Sequence, residues 1–137
     1  PFLDRLLVEW SAPQRGEVVV FRRADDPSTV IDESARAMVK RVIGIPGDRV
    51  SIQGSTVKVN GLAVDERYAR WTKGGLDQER SFDVPTGFVF LLGDNRDESY
   101  DSRFWRQPFV SNEHVVGPVA AVYWSSTNPE RSGTVIR

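Results

Sequence analysis

Apolar positions along this chain come in short runs rich in Val, Ile and Phe, cut by Gly, Pro or Asp, and no stretch sustains a helical spacing of apolar residues. Runs of roughly four to eight residues with that composition form strands, whereas a buried helix needs about ten residues or more of steady periodicity. The pattern predicts a mostly β fold, with strands at Arg5–Glu9, Glu17–Arg22, Met38–Ile45, Arg49–Gln53, Thr56–Val59, Phe88–Leu92 and Gly117–Trp124. Turn chemistry separates them: Gly47-Asp48 after Pro46, Asn60-Gly61 closing a β-pair, and Pro85-Thr86-Gly87 ahead of a strand. Helix is confined to one short turn, capped by Ser111 at Ser111-Asn112-Glu113. From about Leu62 to Ser81 the sequence is at its most polar and keeps no clean period, and it reads as an excursion from the main sheet. No repeat with a period of about 20–50 residues is visible.

A chain of 137 residues supports one well-cored domain and leaves little room for a second, so residues 1–137 are taken as one domain. Its 18 Lys and Arg against 19 Asp and Glu give no basic field, which argues against nucleic acid as a partner. There is no cysteine, and His114 is the single histidine, so disulfides, thiol nucleophiles and the common metal sites drop out and no cofactor is expected. A Ser-His-Asp triad would rest wholly on His114, which reads instead as part of a structural turn. No apolar run reaches the roughly 18–20 residues that cross a bilayer. The chain opens on Pro-Phe-Leu rather than Met, which reads as a cut from something longer.

Lys40 stands out. Strand alternation places it on the face shared by Met38 and Val42, opposite Val39, Arg41 and Ile43. Taking an ammonium out of water disfavours its charged form, so a lysine among apolar neighbours can serve as a proton acceptor. The competing reading is a strand lysine that reaches out to water or marks a sheet edge. The second candidate is the dense polar run Gly93-Asp94-Asn95-Arg96-Asp97-Glu98-Ser99-Tyr100-Asp101-Ser102-Arg103, which leaves the apolar strand Phe88–Leu92. Such a loop either builds a site or is a turn held by Asx-type bonds and an ion pair, Asp101–Arg103 or Asp101–Arg96.

Three segments, Val39-Lys40-Arg41-Val42-Ile43-Gly44-Ile45-Pro46-Gly47-Asp48, Val57-Lys58-Val59-Asn60-Gly61, and Gly93 to Trp105, resemble type I signal peptidases in order and spacing. Asp4–Glu9 and Pro13–Phe21 resemble that family's early strands, while Leu62 to Arg80 matches it least. The resemblance implies a signal-peptidase-like complex of coiled antiparallel β-sheets with little helix. It also implies a membrane-anchored serine endopeptidase, its catalytic domain on the extracytoplasmic side, that removes signal peptides from secretory preproteins by a serine nucleophile and a lysine base. Lys40 then matches the general base and Ser99 the hydroxyl that orients its amine. Asp101 and Arg103 match an ion pair bracing the loop, Asp94 and Asn95 support the site structurally, and Ala37, Met38 and Val39 lie near small-residue substrate pockets. Pro1 aligns with the proline of the family's Ser-Met-x-Pro segment, so the nucleophilic serine and the lipid-contacting anchor are expected upstream. Ser11, the nearest downstream hydroxyl, falls after the Asp4–Glu9 strand and does not match it. Trp10 and Trp124 are candidates for a lipid-touching apolar rim, and Trp71 and Trp105 for the core. The alternatives are a non-catalytic homologue that binds peptides or joins an assembly, and a self-cleaving repressor-type serine/lysine protease.

Overall fold

The computed structural model describes residues 12–23 and 37–119. The predicted strand Arg5–Glu9, the end of Gly117–Trp124, and with them Trp10, Ser11 and Trp124 lie outside the described residues.

Among the described residues nine strands occur in chain order: β1 (Val18–Arg22), β2 (Ala37–Gly44), β3 (Arg49–Gly54), β4 (Thr56–Val59), β5 (Leu62–Ala63), β6 (Leu76–Asp83), β7 (Phe88–Leu92), β8 (Phe109–Ser111) and β9 (Val115–Pro118). They form a five-stranded sheet of order β8-β7-β2-β1-β9 and a four-stranded sheet of order β5-β4-β3-β6. Every pairing within the sheets is antiparallel. The mostly β expectation holds, and five predicted strands appear within a residue or two of the observed bounds. Asn60 (φ 53°) and Gly61 (φ 83°) both take left-handed backbone between β4 and β5, which is why this hairpin carries the Asn-Gly pair. Ser111 caps the 3-10 turn Asn112–His114, its Oγ accepting from the Glu113 amide.

Strand β6 is not foreseen by the sequence pattern. Of its eight residues only Phe82 is buried, so it shows no alternation to read; it exists because β3 offers it a free edge, from Arg49↔Asp83 to Gly54↔Leu76. The three-residue β8 and two-residue β5 are too short to carry any periodic signal. Residues 62–81, expected to be a polar excursion, are absent from the five-stranded sheet and contribute β5 and most of β6 to the smaller one.

The five-stranded sheet has a core on each face. Ile43, Phe90 and Leu92 meet Val50, Ile52, Val57, Val59, Phe82 and Val84 of the second-sheet region. On the other face Val19, Phe21, Val42, Val89, Leu91, Val110 and Val115 pack with Trp105. Strands β2 and β7 feed both cores with alternate residues, as the period of two requires. Two registers set the surroundings of Lys40. Val19↔Lys40 and Val18↔Arg41 pair β1 with β2, and Arg41↔Leu92 is the first pair between β2 and β7. Ala37–Lys40 therefore have β1 on one side and, among the described residues, no strand on the other.

Candidate active site

Just where β7 stops pairing with β2, the chain turns away through Gly93 into the polar loop that ends at Trp105. Lys40 lies on β2 one residue beyond that last pair, on the face of Val42. Its Nζ donates to Ser99 Oγ at 3.0 Å, across 59 residues of sequence. The contact depends on Gly93: a Cβ built there would sit 2.1 Å from Ser99 Oγ, 2.6 Å from Ser99 Cβ and 3.4 Å from Lys40 Nζ. The missing side chain is the space that the pair occupies.

The loop is held from within. Asp101 is wholly buried, and Arg103 grips it with two bonds, Nε to Oδ1 at 2.8 Å and Nη2 to Oδ2 at 2.9 Å. The same carboxylate accepts from the amides of Gly93 (3.1 Å) and Arg103 (3.2 Å). Ser102 locks the turn back onto β7, its Oγ accepting from the Leu91 amide at 2.9 Å and its own amide donating to the Leu91 carbonyl at 3.1 Å. A buried ion pair is stable only when its remaining donors and acceptors are satisfied, and this one is nearly saturated. Of the two ion pairs the sequence left open, Asp101–Arg103 forms. Arg96 turns instead to Glu66, with Nη1 to Oε1 at 3.0 Å and Nη2 to Oε2 at 2.5 Å, both side chains buried.

Asp94 and Asn95 support the loop in different ways. Asp94 receives two bonds from Arg41, at 2.9 and 2.8 Å, and this bonding raises the Arg41 guanidinium above its ordinary range. Arg41 points to the face opposite Lys40 and stacks on the Tyr68 ring, 3.8 Å from its centroid. Asn95 is exposed and acts through its backbone: its carbonyl accepts from the amides of Glu98 (3.2 Å) and Ser99 (2.9 Å), and it bridges in parallel to Arg70. Ala37 and Val39 are exposed on the open stretch of β2, Val39 at 52 %, while Met38 packs partly against the Trp105 core.

Glu66 and Tyr68 escape a reading of the sequence, which offers Arg96 only as a partner for Asp101. Glu66 and Tyr68 lie in a turn in which the Ala69 amide donates to the Glu66 carbonyl at 3.1 Å, but nothing local signals that the partner of Glu66 stands 30 residues away. His114 is exposed on the 3-10 turn. Among the described residues no group of three His, Cys, Asp or Glu could hold a metal ion, and no helix is long and apolar enough to cross a membrane.

What remains is an amine on β2, held by a hydroxyl of a loop fixed by buried ions, beside a strand margin that has no strand partner among the described residues. An amine so placed can take a proton from a third group, and a hydroxyl can aim it.

Comparison with known proteins supplies the family context. The model of the family described as "Signal peptidase, peptidase S26" matches residues 2–124. The chain is 33% identical over 126 residues to signal peptidase I of Leptolyngbya laminosa, covering 88% of this chain and 60% of that protein. Against signal peptidase I of Pseudomonas aeruginosa it is 30% identical over 167 residues, covering 96% and 56%. The chain thus spans somewhat over half the length of these curated relatives. The crystal structure of a signal peptidase I from Enterococcus faecalis V583 superposes with a TM-score of 0.62 at 27% identity, covering 80% of this chain and 97% of that one.

Proposed function

The chain belongs to the signal peptidase family, peptidase S26, and from that premise we propose that the whole protein is a serine endopeptidase that removes signal peptides from secretory preproteins, with Lys40 as its general base. The 3.0 Å contact of Lys40 Nζ with Ser99 Oγ carries this reading, because it aims an amine from a strand face beside an open strand margin. The nucleophile is a serine in the segment that the resemblance to the family places upstream of Pro1. That segment also supplies the membrane anchor, which puts this domain on the extracytoplasmic side. Substrate lies along Ala37–Lys40 as an added strand, where backbone groups of β2 have no strand partner among the described residues.

The chemistry balances as acyl transfer. Neutral Lys40 takes the serine hydroxyl proton as the oxygen attacks the scissile carbonyl; the tetrahedral intermediate collapses, and the ammonium gives that proton to the departing amine. Water then attacks the acyl-serine, again losing a proton to Lys40, and the serine oxygen recovers it as the ester bond breaks. Ser99 accepts a hydrogen bond throughout and holds the amine toward the reaction. Asp101 and Arg103 keep Ser99 in place without touching substrate.

The test is cleavage of a synthetic signal peptide by the full-length protein and by its Lys40→Ala variant across pH. Turnover that rises with pH and is lost in Lys40→Ala is expected. Binding of the peptide without turnover by the full-length protein would overturn the reading in favour of a non-catalytic peptide-binding homologue.

A further inference from the structure

The segment from Val64 to Gly75 joins β5 to β6, and the family resemblance is weakest there; yet it touches the catalytic loop more often than any requirement of the sheets explains. Glu66 takes both ends of the Arg96 guanidinium, whose Nε donates to the Gly93 carbonyl at 2.8 Å. Main-chain bonds run both ways between the segments, from the Arg70 amide to the Asp94 carbonyl (2.8 Å) and from the Arg96 amide to the Arg70 carbonyl (2.9 Å). The Asp97 carboxylate accepts from Thr72 Oγ1 at 2.9 Å and from the amides of Thr72 and Lys73. Trp71 lies beneath two buried guanidiniums, those of Arg96 at 5.5 Å and Arg103 at 5.6 Å from its ring centroid.

We propose that this segment is a strap that sets the Lys40–Ser99 contact, and that Glu66 is its positioning residue for the peptidase reaction. The path is short. Glu66 fixes Arg96, Arg96 fixes the Gly93 carbonyl, and Gly93 is the backbone against which Ser99 and Lys40 rest. From its other end Arg96 also gives its carbonyl to Arg103 Nη2 at 2.6 Å, so one residue couples the strap to the Asp101–Arg103 pair. Tyr68, two residues after Glu66, stacks on Arg41, the immediate neighbour of Lys40 in β2. The strap therefore grips both halves of the site, the strand with the base and the loop with the hydroxyl. A carboxylate is required at position 66 because Arg96 is buried and both of its terminal nitrogens donate to Glu66.

The proposal rests on the peptidase reading, and the experiment separates the two. Full-length protein, its Lys40→Ala variant, and Glu66→Gln, Glu66→Asp and the double variant Glu66→Gln/Arg96→Met are compared for signal-peptide cleavage and thermal unfolding. Glu66→Gln is expected to lower kcat at least tenfold with KM within twofold, since the open margin of β2 is untouched, and Glu66→Asp is expected to restore most of the loss. The double variant removes both buried charges, so it keeps the test decisive if Glu66→Gln unfolds: it is expected to fold and still to show the low kcat. Normal kcat in a folded Glu66→Gln or double variant, with Lys40→Ala inactive, would overturn the strap and leave the peptidase intact. Activity surviving in Lys40→Ala would overturn the reading on which both depend.

Discussion

Gly93 shows how much of this site is set by an atom that is not there. Placing a methyl group on it would push Ser99 away from the amine, because the nearest atoms at 2.1 and 2.6 Å belong to Ser99 itself. Its backbone is not in the left-handed region, so the requirement for glycine is one of space alone. Gly93→Ala is therefore expected to keep the fold and lose most signal-peptide cleavage, on the order of a hundredfold, as a catalytic group displaced by about 1 Å can. Parallel circular dichroism and cleavage assays check it, and full activity with a normal spectrum would refute the close packing. Apolar alternation singles out Lys40 and the dense polar run marks the loop from Gly93 to Arg103, while Ser99 and the choice of Asp101–Arg103 come from the family resemblance and not from any local pattern. The sequence offers Arg96 only Asp101 as a partner and misses Glu66, because that pairing depends on how two distant segments fold against each other.

At the scale of elements, β6 carries the plainest lesson. It is a strand made by its neighbour: seven of its eight residues are not fully buried, and its charged face protects an outer edge of the smaller sheet. Its start is fixed by Gly75, at φ 81°, where an added Cβ would lie 1.8 Å from the Gly54 carbonyl oxygen. Gly75→Ala is expected to detach the beginning of β6 from β3 and cost about 2 kcal/mol or more. Hydrogen exchange should show faster exchange in β6 than in β7; uniform protection would contradict the close approach. The strands that are legible in the sequence, β1, β2, β3, β4 and β7, are those in which a buried face imposes a pattern. Those that are not are held by backbone pairing, which leaves no trace in side-chain order.

Across the whole molecule, the turn between the two sheets is governed by Asp48. Its buried carboxylate takes two bonds from Arg15 (2.6 and 2.5 Å), one from the Ile45 amide and one from Asn60 Nδ2 (both 3.0 Å). The Arg15 bonds, first among these causes, bring its pKa from 3.8 down to about 2. A folded value below the unfolded one stabilises above the unfolded value and loses that contribution as pH falls through the interval toward the folded one. Asp48 thus contributes at most about 2 kcal/mol near neutrality, lost between about pH 4 and pH 2. Urea unfolding of the protein and of Asp48→Asn is expected to show that difference at pH 7 and to see it shrink below pH 4. A gap that stays constant down to pH 3 would mean that another interaction is responsible.

The loop from Gly93 to Trp105 meets consecutive residues of one strand from opposite sides, Asp94 on Arg41 and Ser99 on Lys40. Mechanically it is a clip closed over the rim of the sheet. Any rotation that lifts one jaw drives the other into the strand, so the loop has no hinge about which to swing aside. On the proposed peptidase reading, a peptide is therefore admitted along the rim toward Ala37, past a clip that stays closed, and not by lifting the loop away.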